Sequence, residues 1–249
     1  MSVFLALTPA ELAKCRTVRT PRAHIAYAVG DGGRLLRSEL PREVRGGLLG
    51  LSDRCSGPIG DSSTLCRTLL RECAARRFGG VLADFDGAVR EDRLAFLSQL
   101  GAALVRSGLR LYVPERFAVP EGIVLICTAL SGGTQHIALD CQRLAMDFTL
   151  PCRSGEGLPL TREELAGLRE RCGSAVFFSD ELCANYFSYT AQGAAHFVLF
   201  DTAETLRRKL QLGRERGIET AFFMYPEVDD LLPELFSASD AASSPRART

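Results

Sequence analysis

The sequence predicts an α/β fold, a parallel (β/α)8 TIM barrel with a small α+β insertion between its seventh and eighth strands. Three observations carry that prediction. Eight short apolar runs alternate with helical patterns over most of the chain. The 249 residues, 46% of them hydrophobic, suffice for one large core and are about what a single barrel consumes. The fourth run ends in two carboxylates, Asp84 and Asp86, followed by Gly87, and strand C-termini are where parallel barrels carry their chemistry. An open doubly wound sheet satisfies the same alternation and stands as the alternative. We read the barrel over residues 1–236, the insertion over about 152–200, and the Ser/Ala/Arg/Pro tail 237–249 as disordered.

The elements follow in order. Ser2–Leu7 is a short apolar strand, and Thr8-Pro9-Ala10-Glu11 starts a helix with Thr as N-cap, Pro at its first position and Glu at its third. Ala23–Val29 is the second strand, ended by Gly30-Asp31-Gly32-Gly33, and Gly46–Ser52 the third, followed by a Gly/Ser/Pro loop. A helix from Ser62 to Arg76 leads into the fourth strand, Phe78–Phe85. The next helix, from about Arg90 to Ser107, places Leu94, Leu97, Leu100, Leu104 and Val105 at helical spacing. Leu109–Val113 is the fifth strand, Gly122–Ala129 the sixth, broken by Ser131-Gly132-Gly133, and His136–Met146 the seventh. The insertion holds a helix with a capping-box start at Thr161 and three strand-like runs, Ala175–Phe178, Tyr186–Tyr189 and His196–Phe200. Thr202–Arg216 is a helix with Gly217 as its C-cap, and Ala221–Tyr225 is the eighth strand.

Period-2 geometry puts Asp84 and Asp86 on one face of the fourth strand. A solvated strand end with a helix N-cap is the plain structural reading of that pair. Other polar groups reach the same barrel mouth if the strands are placed correctly. Glu115 follows strand five, Asp140 and Gln142 lie inside strand seven, Asp147 is at its end, and Tyr225 and Glu227 close strand eight. Asp140 stands out, because an acid within a strand is costly without a partner, and alternation sends Arg143 to the opposite face.

Bulk composition excludes several classes. Lys and Arg number 30 and Asp and Glu 30, so no net charge points to nucleic acid or to an anionic membrane surface. Nine cysteines, with no Cys-x-x-Cys and no His at ligand spacing, read as small buried hydrophobes in a reducing compartment, with no metal site. No Gly-x-Gly-x-x-Gly follows a strand and no Walker A sequence appears, so no cofactor is expected. The apolar N-terminus lacks a basic region and the length of a signal peptide, and no run reaches the ~18 residues of a membrane span. Cytoplasmic synthesis is the expectation.

In order and spacing the pieces resemble the glycoside hydrolase family 18 barrel, in particular its bacterial spore-germination, cortex-lytic branch. His24-Ile-Ala-Tyr-Ala-Val is similar to that branch's second strand, and Leu48-Leu-Gly-Leu-Ser-Asp to its third; Tyr27, Phe223 or Tyr225 could replace part of the aromatic floor that the family places under the sugar. Phe78–Asp86 stands where the family carries Phe-Asp-Gly-x-Asp-x-Asp-x-Glu. Met146-Asp-Phe-Thr-Leu-Pro resembles the branch's Tyr-Asp-Trp-Thr-Leu-Pro ending of strand seven. Phe178-Ser-Asp-Glu-Leu-Cys-Ala-Asn-Tyr-Phe-Ser-Tyr-Thr and His196-Phe-Val-Leu-Phe-Asp resemble its insertion and approach to the last helix.

The resemblance implies hydrolysis beside an N-acetylated sugar by substrate assistance, in which the acetamide oxygen attacks C1 and no enzyme nucleophile is needed. It implies Asp84 as the group that orients the acetamide and places Asp86 where the acid, a Glu in the family, would stand. Three further positions depart from the family pattern. Leu82 replaces the first Asp of the motif's Asp-x-Asp-x-Glu triplet, Cys127-Thr-Ala-Leu-Ser-Gly-Gly lacks the Tyr-Asp pair that ends strand six, and Met224 aligns with a Trp in a chain that has none. Two function classes therefore stand side by side. One is a glycosidase of altered efficiency on a peptidoglycan or chitin-like glycan, with a new acid pair of Asp86 and Glu227 or Glu115 as a variant. The other is a non-catalytic barrel that binds a glycan or spore-layer proteins.

Overall fold

The structure, a computed structural model, describes residues 1–15, 18–127, 137–152 and 157–236. The chain divides into two compact units, Met1–Cys141 with Gly213–Glu227, and Gln142–Leu212 with the residues from Val228 onward.

The first unit runs through β1 (Ser2–Leu7), α1 (Pro9–Leu12), β2 (Arg22–Val29), β3 (Leu35–Arg37), β4 (Leu48–Asp53), α2 (Ser62–Arg76), β5 (Gly80–Asp84), α3 (Glu91–Arg106), β6 (Arg110–Pro114), β7 (Gly122–Cys127) and β8 (Ile137–Asp140). The second unit carries β9 (Ala145–Leu150), β10 (Leu158–Pro159), α4 (Arg162–Cys172), β11 (Phe177–Ser179), β12 (Ala184–Ala191), β13 (Ala194–Phe200) and most of α5 (Ala203–Glu215). The chain then returns to the first unit in β14 (Thr220–Met224) and ends its described part with the short turns α6 (Tyr225–Val228) and α7 (Leu232–Leu235).

Eight parallel strands close a barrel in the order β1, β2, β4, β5, β6, β7, β8, β14, and β14 pairs back onto β1 from Ser2↔Thr220 to Ala6↔Met224. β3 is an outrigger, antiparallel to β2. Alternation along each strand divides the apolar residues between two cores. Leu82 fills the barrel lumen with Ala6, Ala23, Leu48, Tyr112, Ala138 and Phe222, and Met224 packs against that cluster. Val81 and Ala83 face outward into a second core with Leu65 and Leu69 of α2 and Phe96, Leu97 and Leu100 of α3.

Local chemistry sets the element ends. Thr8 and Glu11 form the capping box of α1, the Thr8 N–H donating to Oε2 of Glu11 at 2.7 Å. Asp61 caps α2 by accepting from the Thr64 N–H at 3.1 Å. β4 begins at Leu48 rather than at Gly46, because Gly46 and Gly47 take φ of +76° and +75°. A Cβ on Gly47 would also meet the Arg22 carbonyl oxygen at 2.1 Å.

The expected seventh strand, His136–Met146, is in fact two. The barrel strand stops at Asp140, and Ala145 opens a different sheet. That sheet, in the second unit, is antiparallel in the order β10, β9, β13, β12, β11, and begins several residues before the expected 152. The runs expected at 175–178, 186–189 and 196–200 correspond to β11, β12 and β13. Under α4, Leu165, Phe187, Val198 and Phe200 form this unit's core. The Ser131-Gly132-Gly133 break, the end of the expected sixth strand at 128–129 and the tail 237–249 lie outside the described residues.

The lumen assignment of Leu82 yields a stability prediction. Leu82→Ala is expected to cost roughly 2–5 kcal/mol, the range for emptying a packed core position, as read by urea unfolding. A loss below about 1 kcal/mol would mean that Leu82 does not fill the lumen.

Candidate functional site at the barrel mouth

A parallel strand delivers its last inward residue to the rim of the barrel. On β5 that residue is Asp84, which follows the lumen residue Leu82 by two positions. It is half-buried, and Asp86, just beyond the strand end, is exposed. Burial first, and then the carboxylates of Asp86, Asp53 and Asp140, push the Asp84 carboxyl above its ordinary value. Acids from the ends of β4 and β8 and from just beyond β5 thus act on Asp84 at the mouth. Asp140 is the last residue of β8 and half-buried, rather than an acid within a longer strand.

The loop that carries Asp86 is tied down from below. Asp53, the last residue of β4, has a side chain 1% exposed, and Arg93 of α3 is 6% exposed where the two form an ion pair. Oδ1 of Asp53 accepts from the Asp86 N–H at 3.1 Å, and Oδ2 from the Gly87 N–H at 3.2 Å. Arg93 also donates to the carbonyls of Ala88 at 3.1 Å and Cys55 at 2.7 Å. A Cβ on Gly87 would lie 2.1 Å from Nη1 of Arg93 and 2.4 Å from Oδ2 of Asp53, so a side chain here would have to displace the pair. Around this centre Asp31 accepts from the Ser56 N–H at 3.0 Å, and Asp92 from the Ile59 N–H at 2.7 Å, fastening the loop after β4.

Sequence reasoning did not single out Asp53 and Arg93. The signal was present, because Arg93 falls three, four and seven residues before Phe96, Leu97 and Leu100 and so shares their apolar face. An Arg on that face demands a buried acceptor.

The other expected site residues separate. Glu115 is exposed in the turn after β6, Glu227 is half-buried and Tyr225 buried in the turn after β14, all beyond strand C-termini of the barrel. Tyr27 does not face the lumen. A bulge between Ile25 and Tyr27 shifts the register of β2 against β4, and the ring joins the outer core edge-on to Phe78 at 6.5 Å. Its hydroxyl donates to Glu72 of α2 at 3.1 Å, and burial together with Glu72 pushes it up to about 12.

Asp147 is likewise not at a barrel strand end. It lies in β9 of the second unit, where its Oδ2 accepts from the Tyr189 hydroxyl at 2.7 Å and the carboxylate meets Nδ1 of His196 at 3.2 Å. Gln142, expected inside strand seven, is exposed beyond the end of β8 and opens the second unit. The missing Tyr-Asp pair of strand six was expected at positions that lie outside the described residues. Among the described residues no group of His, Cys, Asp and Glu is arranged to hold a metal ion, and no helix is long and apolar enough to cross a membrane.

No family model and no curated relative matches the sequence. Solved structures do match. The spore cortex-lytic enzyme SleL of Bacillus megaterium QM B1551 is 14% identical, with a TM-score of 0.60 over 95% of this chain and 74% of that one. A chitinase from Chromobacterium violaceum ATCC 12472 is 18% identical, with a TM-score of 0.62 over 95% of this chain and 99% of that one. A family GH18 chitinase from Cycas revoluta, solved in complex with (GlcNAc)3, is 12% identical, with a TM-score of 0.59 over 95% of this chain and 99% of that one. The chain thus shares the fold of chitinase-like barrels, spore-lytic ones among them.

The raised Asp84 carboxyl gives a signed prediction. A carboxylate harder to ionise in the folded state than in the unfolded one lets stability fall as pH rises above the ordinary carboxylate range. Asp84→Asn is therefore expected to melt above the parent at pH 7, with the gap closing as pH drops below that range. A variant less stable than the parent at neutral pH would show that ionised Asp84 is not under strain.

Proposed function

We propose that the barrel mouth binds an N-acetylglucosamine-containing glycan, peptidoglycan or chitin-like, and hydrolyses it weakly by substrate-assisted, retaining chemistry. The observation that carries this reading is the pair Asp84 and Asp86 at the C-terminal end of β5, in a barrel shaped like those of the chitinases and SleL. Asp86, exposed at the rim, is the group within reach of solvent and leaving group. It would donate its proton to the glycosidic oxygen while the acetamide oxygen forms a bond to C1 and the C1–O bond to the leaving group breaks. Asp84, partly desolvated, would orient the acetamide N–H and support the positive charge that develops. Water, deprotonated by Asp86, then attacks C1 and restores the acetamide.

Three features lower the expected rate. Asp86 is one methylene shorter than a Glu, and a misplacement of about 1 Å can cost ~10²-fold. Leu82 puts a hydrocarbon in the lumen where the family carries an acid. Met224 packs against the lumen cluster and offers no aromatic face for the sugar. The same three features favour a second reading, a barrel that binds glycan without cleaving it and serves spore-layer assembly.

Purified protein given chitin oligosaccharides or cortex muropeptides separates the two. Under the hydrolytic reading Asp86→Ala abolishes turnover, and Asp86→Glu raises kcat by up to ~10²-fold. Turnover indifferent to Asp86→Ala rejects the assignment of the acid. Saturable binding without turnover, lost in Asp84→Ala, is the result expected of a binder.

A further inference from the structure

We infer that Asp53 and Arg93 together are the positioning device of the barrel mouth, fixing the direction in which Asp86 leaves β5; what they position rests on the reading proposed above. One carboxylate collects two consecutive backbone N–H groups, those of Asp86 and Gly87, at 3.1 and 3.2 Å. The guanidinium that neutralises it reaches a carbonyl from each of two loops, Ala88 after β5 and Cys55 after β4. The loop with Asp86 is therefore held through its backbone to the end of the neighbouring strand and to the first turn of α3, while the Asp86 side chain stays exposed. Gly87 carries the same message independently, since any side chain there would strike both members of the pair.

Stability alone does not call for this arrangement. A buried ion pair is often no better for stability than apolar residues of the same volume. Here Asp53 gives its backbone hydrogen bonds to the loop that presents the acid, and Arg93 divides its own between that loop and the one after β4, which is what a positioning role requires.

The test uses the Asp86→Glu protein and a chitin oligosaccharide substrate. Asp53→Asn keeps the shape and removes the charge, Gly87→Ala keeps the charge and blocks the approach, and Leu100→Ala empties a fully buried site on α3 away from the loop. Asp53→Asn and Gly87→Ala are each expected to lower kcat by about 10- to 100-fold with KM within about threefold. Leu100→Ala is expected to lower the melting temperature and leave kcat within twofold. If Asp53→Asn keeps kcat within twofold, or Leu100→Ala lowers it equally, the inference is overturned.

Absence of turnover in Asp86→Glu would count against the hydrolytic reading and not against the positioning pair. In that event amide hydrogen exchange decides. Asp53→Asn should speed exchange at Asp86 and Gly87 at least tenfold and leave Val81 to Ala83 of β5 unchanged; uniform or unchanged exchange overturns the inference. Nor should a folding failure of Asp53→Asn decide the matter, because Gly87→Ala leaves the ion pair's charges in place and is read by the same two measurements.

Discussion

The mouth of this barrel depends on one desolvated ion pair. Removing a carboxylate and a guanidinium from water costs several kcal/mol per ion unless their hydrogen-bonding capacity is met inside. Asp53 accepts from backbone N–H groups and the two terminal nitrogens of Arg93 donate to backbone carbonyls, so the chain itself supplies most of the compensation, and Nε of Arg93 is left buried without a hydrogen-bond partner among the described residues. Charge burial and loop geometry are consequently inseparable here. The exposed acid at the rim owes its placement to a pair of side chains that solvent scarcely touches.

Much of the barrel is legible in the sequence, because period-2 alternation is a local property and the strands that obey it, β4, β5, β6 and β14, lie close to where that alternation puts them. Where the reading departed from the structure, a non-local cause can be named. The run from Ile137 to Met146 contains no Gly or Pro, so nothing in it marks the point at which the chain leaves the barrel. The Cys141 N–H still bonds the Phe222 carbonyl at 2.9 Å, and only the partners change after that. Tyr27 was misplaced because a bulge shifts the phase of β2, and a bulge adds a residue without any requirement on its type. Asp84 and Asp86 were visible as acids at a strand end, whereas Asp53 was not, since Arg93 on the apolar face of α3 signals a buried acceptor but nothing local says that it lies 40 residues earlier.

The lumen and the rim are chemically distinct. Below Asp84 the interior is hydrocarbon and aromatic, with Tyr112 edge-on to Phe222 at a centroid distance of 5.0 Å. Above it, the carboxylates of Asp86, Asp53 and Asp140 act on Asp84. An acid at this boundary feels both burial and like charge, and both act in the same direction on its proton.

The ring of strands is completed by β14, which lies between β8 and β1 and comes from the far end of the described chain. During synthesis, everything up to the insertion emerges while β1 and β8 each still present an open edge, and such edges invite pairing with other chains. Barrel closure must therefore wait until about residue 224 has cleared the ribosome. Until then two strand edges of the unfinished sheet stay unpaired, the exposure that closing the ring removes.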